Sequence, residues 1–176
     1  MCNGSLDKWI FHRDQKPPLD WQTRRNIFLN VAKALAYLHE ECRQKIIHLD
    51  NKPQNILLDE NFNAKVSDFG LSKLIERDQS QVVTTMRGTP GYMAPEWLNS
   101  GITEKVDVYS FGVVVMEVCC GRKNVDLSQP EEDMHLLSLF KRKAEEGQLL
   151  DMVDKSSEDL QLYGEEVVNM LRVAAW

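Results

Sequence analysis

Apolar side chains recur at helical spacing in the first third of the chain. Successive members are three or four residues apart, which places them on one face of an α-helix. Asp20 precedes this run and is a residue type that caps helix N-termini. The pattern therefore predicts one amphipathic helix over residues 21–41. The apolar positions are Ile27, Val31, Leu35 and Leu38.

A second run, residues 106–120, is apolar on nearly every side. This is typical of a fully buried helix. Its many valines leave a strand as the alternative, but fifteen residues exceed the usual strand length and favour a helix. Thr103 is a candidate N-cap, and Gly121 is a plausible stop.

Two weaker helical patterns follow. Residues 131–146 form an amphipathic helix if Leu136, Leu137, Leu139 and Phe140 define its apolar face. Residues 165–175 are predicted to form the last helix. The chain is therefore expected to be mainly α.

Strands are short and local. Residues 56–66 predict a strand, a polar turn and a second strand, in a hairpin centred between Asn61 and Phe62. Residues 45–47 are interpreted as a short connector. Residues 71–91 are polar, rich in Ser and Thr and without apolar period, which indicates a mobile loop.

The predicted hairpin places Asn55 and Asp68 at the same open end. Neighbouring strands lie roughly 5 Å apart, so an amide oxygen and a carboxylate come together there. Both are hard oxygen ligands of the kind that Mg²⁺ prefers. Asp50 and Lys52 lie a few residues upstream and are expected at the rim of the same site.

Composition argues against several classes of protein, namely those that bind nucleic acid, those built around cysteine sites and those that span a membrane. A net charge of −6 without a basic run argues against a nucleic-acid ligand. The four cysteines show neither metal-ligand nor disulfide-framework spacing. Residues 106–120 contain Asp107 and Glu117 and are too few to span a bilayer, so no transmembrane segment is expected.

Four motifs in order carry a family resemblance. They are the run HLDNKPQN from His48 to Asn55, DFG from Asp68, APE from Ala94, and DVYSFG from Asp107. The chain resembles the C-terminal (large) lobe of a protein kinase. The sequence that flanks these motifs resembles that of plant receptor-like serine/threonine kinases. The resemblance implies a kinase-like large lobe that is mainly α with a small β-hairpin.

The resemblance also implies a missing part. The family's N-terminal lobe carries a Gly-rich loop and a strand lysine, and the sequence contains no G-x-G-x-x-G. We therefore interpret residues 1–176 as a single partial kinase domain, cut at both ends.

Site residues follow from the matched motifs. Asp50 corresponds to the catalytic base, with a local turn bond as the alternative. Lys52 corresponds to the residue that neutralises charge on the phosphoryl group and contacts ATP. Asn55 and Asp68 correspond to the Mg²⁺ ligands, which hold the cofactor, with a turn amide and a strand-end cap as alternatives. Leu57 matches the floor of the adenine pocket, with ordinary hairpin core as the alternative.

Other matched residues are structural. The resemblance implies that His48 packs against Phe69 and takes no part in the chemistry. Asp107 corresponds to a buried anchor for the backbone N–H groups of the catalytic loop. Thr89 corresponds to a residue beside Asp50 and Lys52, with a plain turn threonine as the alternative.

One position departs from the family pattern. Leu49 stands where the family usually has an arginine that pairs with a phosphorylated loop residue. Phosphorylation at Thr84 or Thr85 would therefore lack its usual partner. We predict that such phosphorylation is not the main on-switch.

The implied function is transfer of the ATP γ-phosphate to Ser or Thr hydroxyls, with ATP and Mg²⁺ as cofactors and a protein as substrate. Lys52-Pro53 favours serine/threonine over tyrosine specificity. The chain alone is expected to be soluble and inactive without its small lobe, and the receptor-like parent is expected on the cytoplasmic side of the plasma membrane. The alternatives are a non-catalytic scaffold or decoy, and an incomplete gene product.

Overall fold

The computed structural model describes residues 1–12, 17–76, 79, 87–98 and 101–176. Within this part of the chain, helices dominate and strands are three residues long, which confirms the predicted class. Ser80, Thr84 and Thr85 lie outside the described residues. The helices are α1 (Asp7–Ile10), α2 (Trp21–Ala36), α3 (Lys105–Cys120), α4 (Leu136–Glu145), α5 (Glu158–Leu162) and α6 (Gly164–Ala175). The strands are β1 (Lys45–Ile47), β2 (Ile56–Leu58), β3 (Ala64–Val66) and β4 (Lys73–Ile75).

Helix α2 begins at the predicted cap. The Asp20 carboxylate accepts a hydrogen bond from Thr23 N at 2.6 Å. The helix continues as one wider π-helical turn, Tyr37–Glu41, so the prediction of a helix over residues 21–41 is confirmed. Its apolar face lies in the main core, as the 3.6-residue period requires.

Helix α3 is the central buried element, as predicted. It ends at Gly121, which adopts the left-handed conformation that favours glycine. The side chain of Thr103 accepts a hydrogen bond from Lys105 N at 3.1 Å at its start. Helix α6 crosses α3 very closely: a Cβ at Gly112 would lie 2.5 Å from the Ala174 carbonyl oxygen. Only glycine permits this approach.

The prediction of a helix over residues 131–146 placed the start of the helix too early. Residues Glu131–Asp133 form a 3₁₀ turn, and α4 begins only at Leu136. His135 pairs with Val125 in an antiparallel bridge, and Leu136 N donates to Asn124 O at 2.8 Å. These long-range backbone bonds prevent a continuous helix. Helix α6 begins at Gly164, one residue before the predicted start.

The predicted hairpin forms, but its register differs. Leu58 pairs with Ala64 and Ile56 with Val66, so the turn is centred on Asn61 rather than between Asn61 and Phe62. Two features of the turn account for the shift. The Asp59 carboxylate accepts the N–H groups of residues 61 and 63, and Phe62 adopts φ 60° with its ring 4.8 Å from that of Trp9.

A second ladder was not predicted. Strand β1 pairs antiparallel with β4, with Ile47 opposite Lys73 and Lys45 opposite Ile75. Residues 45–47 are therefore a strand and not a connector, and residues 73–75 are not a loop. Strands of three residues are too short to show a period of two, and their partners are far apart in sequence.

Candidate active site

Asp50 lies at the centre of a hydrogen-bonded group. Thr89 Oγ1 donates to Asp50 Oδ1 at 2.7 Å, and Asn55 Nδ2 donates to Asp50 Oδ2 at 2.9 Å. Lys52 Nζ lies 2.9 Å from Asp50 Oδ2 and donates to Thr89 Oγ1 at 2.9 Å. The structure thus brings together Asp50, Lys52 and Asn55, and it places Thr89 beside the first two as predicted.

A tight turn produces this arrangement. Pro53 opens a 3₁₀ turn over Pro53–Asn55, where its fixed φ suits the first helical position. Asn55 N donates to Lys52 O at 2.9 Å, and Asn55 Nδ2 donates to Asp50 O at 2.9 Å. The loop therefore folds back, and the side chains of residues 52 and 55 converge on Asp50.

Asp107 anchors the backbone of the loop that contains Asp50. It is fully buried in the first turn of α3. Its Oδ2 accepts from His48 N at 2.7 Å and contacts His39 Nε2 at 2.8 Å, and its Oδ1 accepts from Leu49 N at 2.9 Å. The predicted role of Asp107 as a backbone anchor is confirmed. The bonds hold Leu49 at φ 70°, a conformation that is uncommon for a residue with a side chain.

His48 is a structural residue here. Asp50 N donates to His48 Nδ1 at 3.2 Å, so His48 Nε2 carries the proton and donates to Ser67 O at 3.0 Å. The ring meets Phe69 edge-on, with centroids 4.9 Å apart. Both ring nitrogens are therefore occupied, as expected for a residue outside the chemistry.

Asp68 lies one position further along than the predicted register placed it. The residue opposite Asn55 is Ser67, whose N and Oγ both donate to Asn55 O, at 2.9 and 2.8 Å. Asp68 follows in the left-handed conformation with an exposed side chain, and its Oδ1 accepts from Gly70 N at 3.2 Å. The carboxylate thus stands next to the hairpin end at which Asn55 lies.

The donor set fits a magnesium ion. The Nδ2 group of Asn55 is committed to Asp50 O and Oδ2, which leaves Oδ1 as the acceptor. Asp68 Oδ2 makes no hydrogen bond within the described residues. A side-chain amide oxygen and a carboxylate, completed by phosphate oxygens and water, match the way Mg²⁺ is held at phosphoryl-transfer sites. No group of three or more His, Cys, Asp or Glu side chains suited to a metal occurs in the described part of the chain.

Leu57 lies on the side of the hairpin opposite to its buried neighbours. Ile56 and Leu58 are buried, whereas Leu57 is half-buried and forms a backbone bridge with Ser5. The N-terminal residues therefore extend the hairpin along this edge. The side chain of Leu57 faces away from the main core, so the alternative of ordinary hairpin core is wrong, and the adenine contact stays a prediction.

Sequence reasoning missed one buried polar cluster. Tyr92 Oη donates to the Glu117 carboxylate at 2.8 Å, Asn124 N donates to Glu117 Oε1 at 2.7 Å, and Asn124 Nδ2 donates to Gly91 O at 2.5 Å. Burial raises the pKa of Glu117 to about 7 and the pKa of Tyr92 well above its ordinary value. A charged residue within an apolar helix was the only available signal, because its partners lie 25 and 7 positions away.

Comparison with known proteins decides the family. The protein kinase domain family matches residues 1–170. The chain belongs to the protein kinase family. The sequence resemblance to a protein kinase domain is therefore confirmed.

Named relatives are plant receptor-like kinases. A G-type lectin S-receptor-like serine/threonine-protein kinase of Arabidopsis thaliana is 53% identical over 178 residues, covering 100% of this chain and 22% of the relative. A second one from the same plant is 50% identical, covering 100% of this chain and 20% of the relative. A probable receptor-like protein kinase of Arabidopsis thaliana is 46% identical and is covered to 42%. The chain thus spans about a fifth of the length of the first two relatives. No helix in the described residues has the length and apolar character needed to cross a membrane.

Proposed function

We propose that this kinase domain transfers the γ-phosphate of ATP to Ser or Thr hydroxyls of a protein. The observation that supports this most strongly is the group formed by Asp50, Lys52, Asn55 and Thr89. Three polar side chains from two separate segments meet at the Asp50 carboxylate, with every contact within the group at 2.7–2.9 Å. Such a preorganised group suits proton and phosphoryl transfer.

The two carboxylate oxygens of Asp50 differ in how many further hydrogen bonds they can accept. Oδ2 faces both Asn55 and Lys52, whereas Oδ1 accepts only from Thr89 among the described residues. A carboxylate oxygen has two lone pairs, so Oδ1 retains one for a substrate hydroxyl. We infer that Oδ1 accepts the hydroxyl proton, while Lys52 stabilises negative charge that develops beside it.

Magnesium-bound ATP supplies the phosphoryl group and further positive charge. Asn55 Oδ1 and the Asp68 carboxylate are the proposed metal ligands, and Leu57 is the proposed adenine contact. We infer that residues 1–176 alone form a partial domain that transfers no phosphate, because half of a two-lobed cleft loses affinity and orientation together. The relatives are named receptor-like kinases, which supports a receptor-like protein, and we propose that this protein acts at the cytoplasmic side of the plasma membrane.

The test uses this chain alone and joined to the small lobe of the Arabidopsis thaliana relative. Transfer of labelled γ-phosphate to a generic protein substrate is measured with Mg²⁺. The joined form should be active, the chain alone inactive, and Asp50→Asn in the joined form should lower kcat at least 100-fold. Asp151→Asn, at an exposed site remote from the loop, is the control. Equal rates for the joined form and its Asp50→Asn variant would refute the proposal and favour a non-catalytic scaffold.

A further inference from the structure

Leu49 belongs to a small apolar cluster that is separate from the main core. Its side chain is 7% exposed. We name this group the Leu49 cluster. Its buried members are Ile47, Leu49, Ile75, Ala94, Trp97, Ile102 and Val106, and Leu71, Met93 and Tyr109 pack against it.

The Leu49 cluster joins four parts of the chain: β1 with the proposed catalytic loop, residues 71–75, residues 93–97, and residues 102–109 around the start of α3. Leu71 and Ile75 lie just after the DFG motif, and Met93, Ala94 and Trp97 lie around the APE motif. Both ends of the connecting segment therefore belong to the same apolar cluster as the residue that precedes Asp50. The β1–β4 ladder adds backbone bonds at the first end, with Ile47 opposite Lys73.

At the second end, residues 88–97, the backbone at Gly88 comes close to the backbone of Leu49. Gly88 has φ 144°, and a Cβ there would lie 3.1 Å from Met93 Cγ and 3.4 Å from the Leu49 carbonyl oxygen. The next residue, Thr89, donates to Asp50. The backbone at Gly88 thus lies close to the Leu49 carbonyl group, one position before the residue that donates to Asp50.

Leu49 has no donor that could bind a phosphate, and its side chain points into this apolar cluster. We propose that Leu49 is a positioning residue: its apolar contacts hold residues 71–75 and 88–97 against the catalytic loop and keep Thr89 on Asp50 without a phosphorylated residue. The inference rests on the proposed function only for its kinetic readout.

Amide hydrogen exchange on the 176-residue chain tests the packing directly. Leu49→Ala should raise exchange at residues 71–75 and 88–97 at least tenfold more than Leu149→Ala does, and Leu49→Met should restore rates to within threefold of the unchanged chain. Leu149 is a matched control because it is also 7% exposed but lies in the main core. Equal effects of the two alanine variants on these amides would overturn the proposal.

A milder pair keeps the test valid if Leu49→Ala does not fold. Ile47→Val removes one methylene from the Leu49 cluster, and Ile27→Val removes one from the main core; both isoleucines are 0% exposed. Only Ile47→Val should speed exchange at residues 71–75 and 88–97. Identical exchange patterns in the two variants would contradict a local role.

Kinetics supply a readout that a purely structural role would not move. In the form joined to a small lobe, Leu49→Ala should lower kcat at least tenfold while KM for ATP stays within threefold, and Leu149→Ala should change neither parameter more than threefold. Equal losses in both variants would overturn the positioning role. An inactive joined form would refute the proposed function, whereas the exchange comparison would still decide on Leu49.

Discussion

The bonds to Asp107 predict how strongly the catalytic loop depends on helix α3. In Asp107→Asn one carboxylate oxygen becomes an NH₂ group of nearly the same size. Oδ2 serves two donors and Oδ1 serves one. The best orientation of the amide keeps its oxygen at the Oδ2 position and points the NH₂ group at Leu49 N, so two donors face each other.

The magnitude follows from these contacts. A hydrogen bond to a charged group contributes about 1.5–3 kcal/mol, and a buried donor without an acceptor costs about 1–3 kcal/mol. The loss of one bond, with an orphaned donor and two weakened bonds, gives a destabilisation of about 3–5 kcal/mol. Leu49 at φ 70° stores about 1–3 kcal/mol of strain that these bonds offset. We therefore expect Leu49 to relax and Asp50 to move with it.

Urea denaturation of the chain measures the free energy of unfolding. We expect Asp107→Asn to lower it by about 3–5 kcal/mol at an unchanged m-value, and Asp151→Asn, at an exposed site, to change it by less than about 1 kcal/mol. A loss below about 1 kcal/mol for Asp107→Asn would refute the anchoring role. Retention of the Thr89–Asp50 hydrogen bond in a structure of the variant would refute the coupling to the loop.

Three further substitutions test buried polar groups. Asp154→Ala removes a carboxylate that pairs with the Arg24 guanidinium, which is 1% exposed, and should lower the free energy of unfolding by about 3–5 kcal/mol in urea denaturation. Arg25→Ala breaks a half-exposed ion pair with Glu166 and should lower it by at most about 1 kcal/mol. Similar losses in the two variants would contradict the dependence on burial. The raised pKa of Glu117, about 7, means that the folded state binds a proton more tightly than the unfolded state, so stability falls as pH rises from about 4.5 to 7. Glu117→Gln should remove about 3 kcal/mol of this pH dependence. Urea denaturation at pH 5 and at pH 8 measures it, and the same difference in unfolding free energy between the two pH values in the variant and the unchanged chain would contradict the prediction. Asn51→Leu should stabilise the chain by at most about 1 kcal/mol in urea unfolding, because it removes Oδ1, which is buried without a partner among the described residues, but also the long Nδ2 bond to Ser110 Oγ at 3.3 Å. A clear loss of stability would contradict this.

The sequence predicted those elements whose signal is local and long. Helices α2 and α3 carry many turns of apolar pattern and their own caps at Asp20 and Gly121. Three members of the proposed catalytic group, Asp50, Lys52 and Asn55, were also predictable, because they occur within six positions and in the order of a known family. Their local spacing leaves few ways for the side chains to converge. Thr89 lies 39 positions from Asp50 and was expected there only from the family resemblance.

Features set by distant contacts could not be predicted. The hairpin register depends on the Asp59 turn and on the Phe62 ring beside Trp9, and one position of slip changes which residue lies opposite Asn55. The β1–β4 ladder pairs strands that each have three residues. The Glu117 cluster joins positions that only the folded backbone brings together.

The proposed function requires that Asp50, Lys52, Asn55 and Asp68 surround one metal–phosphate pocket. Mn²⁺ in place of Mg²⁺, added with ATP to the form joined to a small lobe, broadens NMR signals of nearby nuclei. We predict that the amides of residues 50–55 and 67–69 broaden first, and that Asn55→Ala and Asp68→Ala each weaken this effect at least tenfold. Broadening centred on the acidic turn Glu131–Asp133 instead, unchanged by both substitutions, would contradict the claim.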